Sequence, residues 1–251
     1  MNILLIKIKR KLFFILNKIL NLLQLEIKKR TISNEQIIKN LITIEDPIIF
    51  DVGANKGQTI IKYKKLFPKA KIYSFEPSPE IYKILNSKFK HIQNLNIYNF
   101  AFGSEESERI FHINERSHNS GFYKLIDNFK IKNFPDEKIS YKGSLNIKLN
   151  TIDNFLKKIN LHQIDILKID TEGFEEEVLK GSINTLKSNK IKFIELEIIL
   201  GNVYKNTNIS FKKIEDILLQ FDFKLYAINK HGNLFQNSYL TLNVLYKFSG
   251  V

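Results

Sequence analysis

The chain contains no cysteine among its 251 residues. A disulfide scaffold and a thiolate-bound zinc are therefore excluded, and the composition is compatible with a reducing compartment. A spanning helix needs roughly 18 consecutive apolar residues. Lys7, Lys9, Arg10, Lys11 and Lys18 interrupt every such run in the apolar opening "MNILLIKIKRKLFFILNKILNLLQLEIKKR". That opening also has no small-residue site of the kind at which a secretory signal is cut. Neither an internal repeat nor a low-complexity block occurs further on.

What is present suits one large folded domain. Hydrophobic residues make up 43% of the chain and charged residues 26%, enough apolar surface for a real core. The formal net charge of +13 would suit nucleic acid, a membrane surface or an anionic substrate. Lys, Ile and Asn are abundant throughout, as an AT-biased genome would produce, and that accounts for most of the charge. The excess is nonetheless uneven. Residues 1–40 hold nine basic side chains against Glu26 and Glu35, a net of +7. With Lys7, Lys11 and Lys18 on one side, this opening reads as a basic amphipathic helix that could lie on an anionic membrane or pack on protein. The expected organisation is a basic helical segment over 1–40 and a domain over 41–251, with peripheral membrane contact assigned to residues 1–30.

From residue 48 onward strands and helices alternate. Strands are expected at 48–52, 71–77, 96–102, 165–170 and 192–199. Helices are expected at 58–67, 78–89, 173–189 and 210–220. Ser78 is placed as an N-cap, with Pro79 at the first helical position. Two successive strands, 223–228 and 239–248, close the chain. Alternation of this kind argues an α/β fold with a mostly parallel sheet covered on both faces, and the closing pair argues an antiparallel edge. Residues 103–150 break the rhythm and read as a hairpin-like insertion carrying a lid.

Ligands of open α/β sheets bind beyond the carboxyl ends of the strands. Asp51, Glu76, the 99–102 segment, Asp170 and Glu172 all fall at such ends. In "FDVGANKGQT" (50–59), Gly53 and Gly57 allow a tight turn and close backbone approach to a ligand. The pattern is G-x-N-x-G rather than the pyrophosphate-binding G-x-G-x-x-G. This suits a ligand that meets the loop with an amino-acid moiety. Asn55 offers a donor and an acceptor, and Asp51 a carboxylate for an ammonium. Glu76 ends the next strand, where a carboxylate accepts ribose hydroxyls. A nucleoside with an amino-acid tail and no phosphate is S-adenosylmethionine.

At this point a resemblance appears. "FDVGANKGQT" (50–59), "YSFEPSPEIYKIL" (73–85), "NFAFGSEES" (99–107), "LNTIDNFL" (149–156), "DILKIDTEGFEEEVLKG" (165–181) and "IELE" (194–197) together resemble the FkbM family of S-adenosylmethionine-dependent methyltransferases. In "DTEG", Thr171 stands where the family more often has Val or Ile. The resemblance implies a Rossmann-like class I methyltransferase sheet of about seven strands, the last antiparallel. It implies cofactor contacts at Asp51, Gly53, Asn55 and Gly57, ribose binding by Glu76, and adenine packing near Phe100 and Ala101.

Methyl transfer to an alcohol needs the hydroxyl proton removed. Asp170 and Glu172 are the expected catalytic carboxylates, since neighbouring acids raise one another's pKa. His118, in the lid segment "SHNSGFYK", is the other candidate base. The two carboxylates alone make no clear metal ligand set, so no metal is assigned. Lys168 either contacts substrate or pairs with an acid. The expected function is O-methylation of a saccharide, glycolipid or related small-molecule acceptor, as in polysaccharide biosynthesis. The expected setting is the cytoplasm, peripheral at the inner membrane face. A nucleic-acid methyltransferase and a non-catalytic membrane-surface binding protein are the alternatives. The first would need a basic stripe with interleaved aromatics, which the sequence does not show. The second would need a decayed cofactor turn.

Overall fold

The computed structural model describes residues 32–126, 130–131, 134–201, 203–205, 207, 209–231 and 239–250. The amphipathic segment expected over residues 1–30 lies outside the described residues. Ser33–Val251 forms one compact unit.

The elements follow in order: α1 (Asn34–Leu41), β1 (Ile48–Val52), α2 (Gln58–Leu66), β2 (Lys71–Phe75), α3 (Pro79–Phe89), β3 (Leu95–Tyr98), β4 (Ala101–Phe102), β5 (Ser107–Asn114), β6 (Lys130–Ile131), β7 (Phe134–Lys138), β8 (Tyr141–Asn150), α4 (Ile152–Lys158), β9 (Ile164–Ile169), α5 (Glu175–Lys180), α6 (Ile183–Lys187), β10 (Ile191–Gly201), α7 (Phe211–Leu219), β11 (Phe223–His231) and β12 (Tyr239–Phe248). Seven strands form the main sheet in the order β11-β12-β10-β9-β1-β2-β3. From β3 to β10 all neighbours are parallel. The last strand, β12, runs antiparallel to both β10 and β11. The Rossmann-like class I architecture with an antiparallel terminal strand is therefore present, with one refinement. β12 is not the edge but slots between β10 and β11, so the edge strand is β11.

The central strands are buried on both faces, which is why they read as continuous apolar runs. Phe50, Val52, Leu167, Ile169, Ile194 and Leu196 enter one core. Ile49, Ile166 and Phe193, on the opposite face, join Ile38, Tyr63 and Phe67 of α1, α2 and its C-cap in the other. At α3, Ser78 accepts from the Ile81 N–H and Pro79 begins the helix, as the sequence predicts.

Two elements depart from expectation. The strand expected over 96–102 is two strands in two sheets. Asn99 turns the chain by donating its side-chain amide to the carbonyls of Glu76 (2.9 Å) and Pro77 (2.9 Å). β4 then leaves the main sheet and pairs with β8, which also pairs with β5, in a separate three-stranded sheet. The helix expected over 173–189 is broken into α5 and α6 at Gly181–Ser182. A Cβ on Gly181 would lie 1.9 Å from the Gly103 carbonyl oxygen, so the chain passes too close to β4 for a side chain. Asp153 then caps the new helix start, accepting from the N–H groups of Asn184 (3.0 Å) and Thr185 (2.8 Å). The insertion is the β5/β8 hairpin with a 3₁₀ turn at Ser117–Asn119, and with β6 and β7 as a smaller hairpin.

Candidate functional site

The glycine turn joins β1 to α2 at the carboxyl edge of the sheet. Gly53, Asn55 and Gly57 all have positive φ (89°, 45° and 85°), a conformation that favours glycine and tolerates asparagine. The N–H groups of Gly53 and Ala54 both donate to the Phe75 carbonyl at 3.0 Å, which ties the turn to the end of β2. A Cβ on Gly53 would sit 1.8 Å from the Asp170 carbonyl oxygen, so this glycine lets the turn lie against the end of β9. At Gly57 a Cβ would meet Phe89 and Leu85, and its absence allows α2 to pack on α3.

Glu76 is clamped in place. Its Oε2 accepts the Asn55 N–H at 2.8 Å and its Oε1 the Ser78 N–H at 2.8 Å. The residue is 6% exposed. Burial pushes its carboxyl up to about 7, against the lowering effect of those two N–H donors. Phe100 is half-buried and packs against Phe75, Phe102 and Phe155, with ring centroids 5.3–5.6 Å away. Ala101 is buried in the same core.

Asp51 is completely buried. It belongs to a row of charges set by strand register. Asp51 on β1 is paired with Lys168 on β9, and Lys168 with Glu195 on β10. One strand period further on, Asp170 and Glu197 share that face at the open end of the sheet. Lys168, with a side chain 9% exposed, makes an ion pair with Asp170 Oδ2 at 2.8 Å. The lysine therefore pairs with an acid, the second of the two roles open to it in the sequence. The Tyr63 hydroxyl donates to Glu195 Oε2 at 2.8 Å, and the Ser74 hydroxyl to Asp51 Oδ2 at 3.3 Å. Burial pulls the Lys168 ammonium down, but Asp170, Glu195 and Asp51 together hold it well above its usual range. Burial likewise works against ionising Asp170, yet Lys168 outweighs it and holds that carboxyl below its usual range. Burial lifts Asp51 to about 6.

Glu172 is displayed on the turn after β9 in the left-handed region, φ 54°, an uncommon conformation for a glutamate. Glu175 builds that turn: its Oε1 accepts from the N–H groups of Thr171 (3.0 Å) and Gly173 (3.2 Å) and from the Thr171 hydroxyl (3.0 Å). The Tyr204 hydroxyl donates to Glu172 Oε2 at 2.5 Å. Burial pushes Glu172 well above its usual range, and the Asp170 charge adds to it. Burial also raises Glu197, with further help from Asp170, to about 8. Carboxylate oxygens of Asp170, Glu172 and Glu197 lie within 4.8 Å of one another. The Lys168 ammonium seated on Asp170 supplies positive charge there.

The insertion reaches this edge. The Ser117 hydroxyl donates to Asn55 Oδ1 at 3.0 Å, and Gly121 passes 3.3 Å from the Glu172 Cβ, measured from where a Cβ of its own would stand. His118 sits exposed on the 3₁₀ turn. What burial it has lowers its imidazole, Arg116 and Lys56 lower it further, and Asp170 opposes them. The ring is therefore neutral at pH 7 and able to accept a proton.

Asp170, Glu172 and His118 are thus brought to one edge with the glycine turn and Glu76. Glu197, Glu175 and Tyr204 were not picked out from the sequence. Glu197 had a signal, since the i, i+2 acids of "IELE" in a strand must share a face. Tyr204 had none, because it follows an irregular segment joined to the insertion through the Lys205 N–H and Lys124 carbonyl (2.7 Å). Replacing Tyr204 by phenylalanine leaves a part-buried Glu172 carboxyl oxygen without its donor and is expected to lower stability by about 1–3 kcal/mol. Urea unfolding of the variant beside the wild type measures this, and equal midpoints would show that the hydroxyl contributes nothing.

Residues 51–225 match the family described as the methyltransferase FkbM domain. The 2-O-methyltransferase NoeI of Sinorhizobium fredii is 24% identical over 188 residues, which are 74% of this chain and 76% of NoeI. The hexuronic acid methyltransferase AglP of Haloferax volcanii is 27% identical over 158 residues, 62% of this chain and 58% of AglP. The crystal structure of methyltransferase FkbM from Methylobacillus flagellatus superposes with a TM-score of 0.52 at 13% identity, covering 83% of this chain and 45% of that one, a likeness of fold. The family match spans well over half of the sequence and contains both the glycine turn and the acidic edge: the chain belongs to the FkbM methyltransferase family.

Proposed function

We propose that this methyltransferase moves a methyl group from S-adenosylmethionine to a hydroxyl of a saccharide acceptor, free or lipid-linked. The observation that carries the reading is the clamped Glu76 carboxylate. Its two oxygens are fixed by N–H donors from the glycine turn and the α3 N-terminus, and each retains a lone pair for a ribose hydroxyl. The residues fit the rest of such a cofactor. Gly53, Asn55 and Gly57 present a turn to its amino-acid end. Asp51, two residues before Gly53, keeps a buried Oδ1 without a hydrogen-bond partner, which suits an ammonium nearby. Phe100 and Ala101 supply an apolar wall for adenine. The sulfonium would bring an electrophilic methyl group; the chain's own residues orient the acceptor and handle its proton. Asp170, Glu172 and neutral His118 line the edge where that proton is handled.

The acceptor class is supported by the names of the relatives, one a 2-O-methyltransferase and one a hexuronic acid methyltransferase. The test is transfer of label from methyl-labelled S-adenosylmethionine to a panel of methyl glycosides, beside calorimetric titration with S-adenosylhomocysteine. Micromolar binding with labelled glycoside supports the proposal, and no binding to the folded protein overturns it. Among the described residues no helix is long and apolar enough to cross a membrane. The basic opening, residues 1–30, is assigned peripheral contact with anionic lipid. Flotation with anionic vesicles but not neutral ones is the expected result, and failure to float with either refutes it.

A further inference from the structure

Three carboxylates crowd the acceptor side of the site, and their surroundings are not alike. Asp170 is tied on one side to the Lys168 ammonium at 2.8 Å. Its other neighbour is Glu197, one residue beyond the Leu196–Ile169 pairing of β10 with β9 and on the same sheet face. Carboxyl oxygens of the two lie within 4.8 Å of each other. Two carboxyls in such contact cannot both be ionised, so they hold one proton between them. Lys168 decides where it rests, because an ammonium against Asp170 favours the anion there. The proton therefore belongs to Glu197. Glu172 is engaged from the far side by Tyr204, on a turn fixed by Glu175.

Resting on the methyl-transfer reading above, we propose that Glu197 is a catalytic residue that receives the proton of the acceptor hydroxyl, and that Asp170 is a positioning residue kept anionic by Lys168. In the step, the hydroxyl oxygen attacks the methyl carbon. The O–C bond forms and the C–S bond breaks with its electron pair left on sulfur. The hydroxyl proton passes to the ionised Glu197. Charge balances, since a sulfonium and a carboxylate become a neutral thioether and a carboxylic acid. A carboxylate bound to an ammonium is a weak proton acceptor, whereas one crowded by acids is a strong one. The groups facing Glu197 are Lys168 on β9 and Asp170 just after it, Glu172 and Glu175 from the turn and α5, Tyr204 after β10, and the uncharged Asn243 across β12. Glu197 is also partly exposed at the open edge, where an acceptor can reach it.

Carboxyl-carbon NMR of the full chain, with Glu197→Gln used for assignment, tests the proton's location without any acceptor. The Glu197 signal is expected to titrate above pH 7 while Asp170 stays ionised down to the acid range. In Lys168→Met, Asp170 should move upward. A Glu197 signal titrating between 4 and 5 in the wild type would overturn the proposal. In label transfer to whichever methyl glycoside of the panel is accepted, Glu197→Gln should lower kcat about 10²-fold or more. It should leave S-adenosylhomocysteine affinity within about twofold, as expected for a group acting only on the proton. The wild-type rise of kcat above neutral pH should vanish in Glu197→Gln and persist in Glu197→Asp. Retention of that rise in Glu197→Gln would overturn the assignment. Absence of S-adenosylhomocysteine binding would instead sink the methyl-transfer reading, and it is seen independently of the carboxyl titration.

Discussion

Glu76→Ala is expected to weaken S-adenosylhomocysteine binding by ~100-fold or more in calorimetry. A hydrogen bond to a charged acceptor contributes about 1.5–3 kcal/mol, and the proposed ribose contact has two. Their loss is about 3–6 kcal/mol, with each 1.4 kcal/mol a factor of about ten. The variant also frees the Asn55 and Ser78 N–H groups that hold the glycine turn against α3. Glu76→Gln should fall between, keeping the shape but not the charge. pH adds a second check. Burial raises the Glu76 carboxyl from 4.5 to about 7, despite its N–H donors. A raised folded value means that this group's contribution to stability is present below 4.5 and lost as pH climbs to about 7. A ribose diol donates to the anion, so binding favours the form that is costly in the free protein. Wild-type affinity should therefore rise with pH up to about 7 and flatten above it. An affinity independent of pH between 5.5 and 8, or an alanine variant that binds as well as the wild type, would remove Glu76 from the ribose site.

Lys168→Met is expected to destabilise the domain by about 3–5 kcal/mol, the range found when one partner of a buried ion pair is removed. That is a large fraction of the roughly 5–15 kcal/mol that holds a typical domain together. Methionine fills much of the same volume, so packing is the smaller part of the loss. The larger part is electrostatic: Asp170 loses its ammonium at 2.8 Å, and Asp51 and Glu195 lose the positive charge between them. The sign with pH follows. Asp170 is held below its usual value in the wild type, so its contribution is present above the unfolded value and lost on acidification. Without the lysine, burial dominates and the carboxyl moves upward. The variant should then be weakened more at pH 8 than at pH 5.5, where protonation relieves the uncompensated charges. Thermal unfolding of both proteins at the two pH values measures this. Adding Asp170→Asn to the variant should recover part of the loss. Equal stability of Lys168→Met and wild type at pH 8 would show that the row does not depend on its lysine.

Much of the glycine-turn side of the site was legible in the sequence because it is local. The turn, its two glycines and Glu76 lie within 30 residues of one another, on consecutive strand–turn–helix units. Phe50–Val52 announces a buried strand, Gly53 and Gly57 announce positive φ, and Pro79 announces a helix start. Short-range sterics and capping determine these features, and short-range signals are what a sequence displays directly. The same reasoning failed at Asn99 and Gly181. A strand and a helix that look continuous in sequence are cut there by contacts with Glu76 and Gly103.

The acidic edge was decided by tertiary structure. Asp51, Lys168 and Glu195 are 117 and 27 residues apart in sequence, and only the registers of β1, β9 and β10 place them in one row. A slip of one residue in either pairing would move a charge to the opposite sheet face, among Phe50, Leu167 and Ile194. Which carboxylate stays ionised depends on which one touches the lysine, and sequence spacing cannot express that. Tyr204 reaches Glu172 only because the segment after β10 joins the insertion, and β12, last in the chain, lies between β10 and β11. By itself the sequence determined the α/β class, the family, the glycine turn and the acids at strand ends, since periodicity and turn chemistry are properties of neighbouring residues. Charge state, orientation and the division of labour among the acids were left to the tertiary structure, because electrostatic energy depends on distance and burial in space.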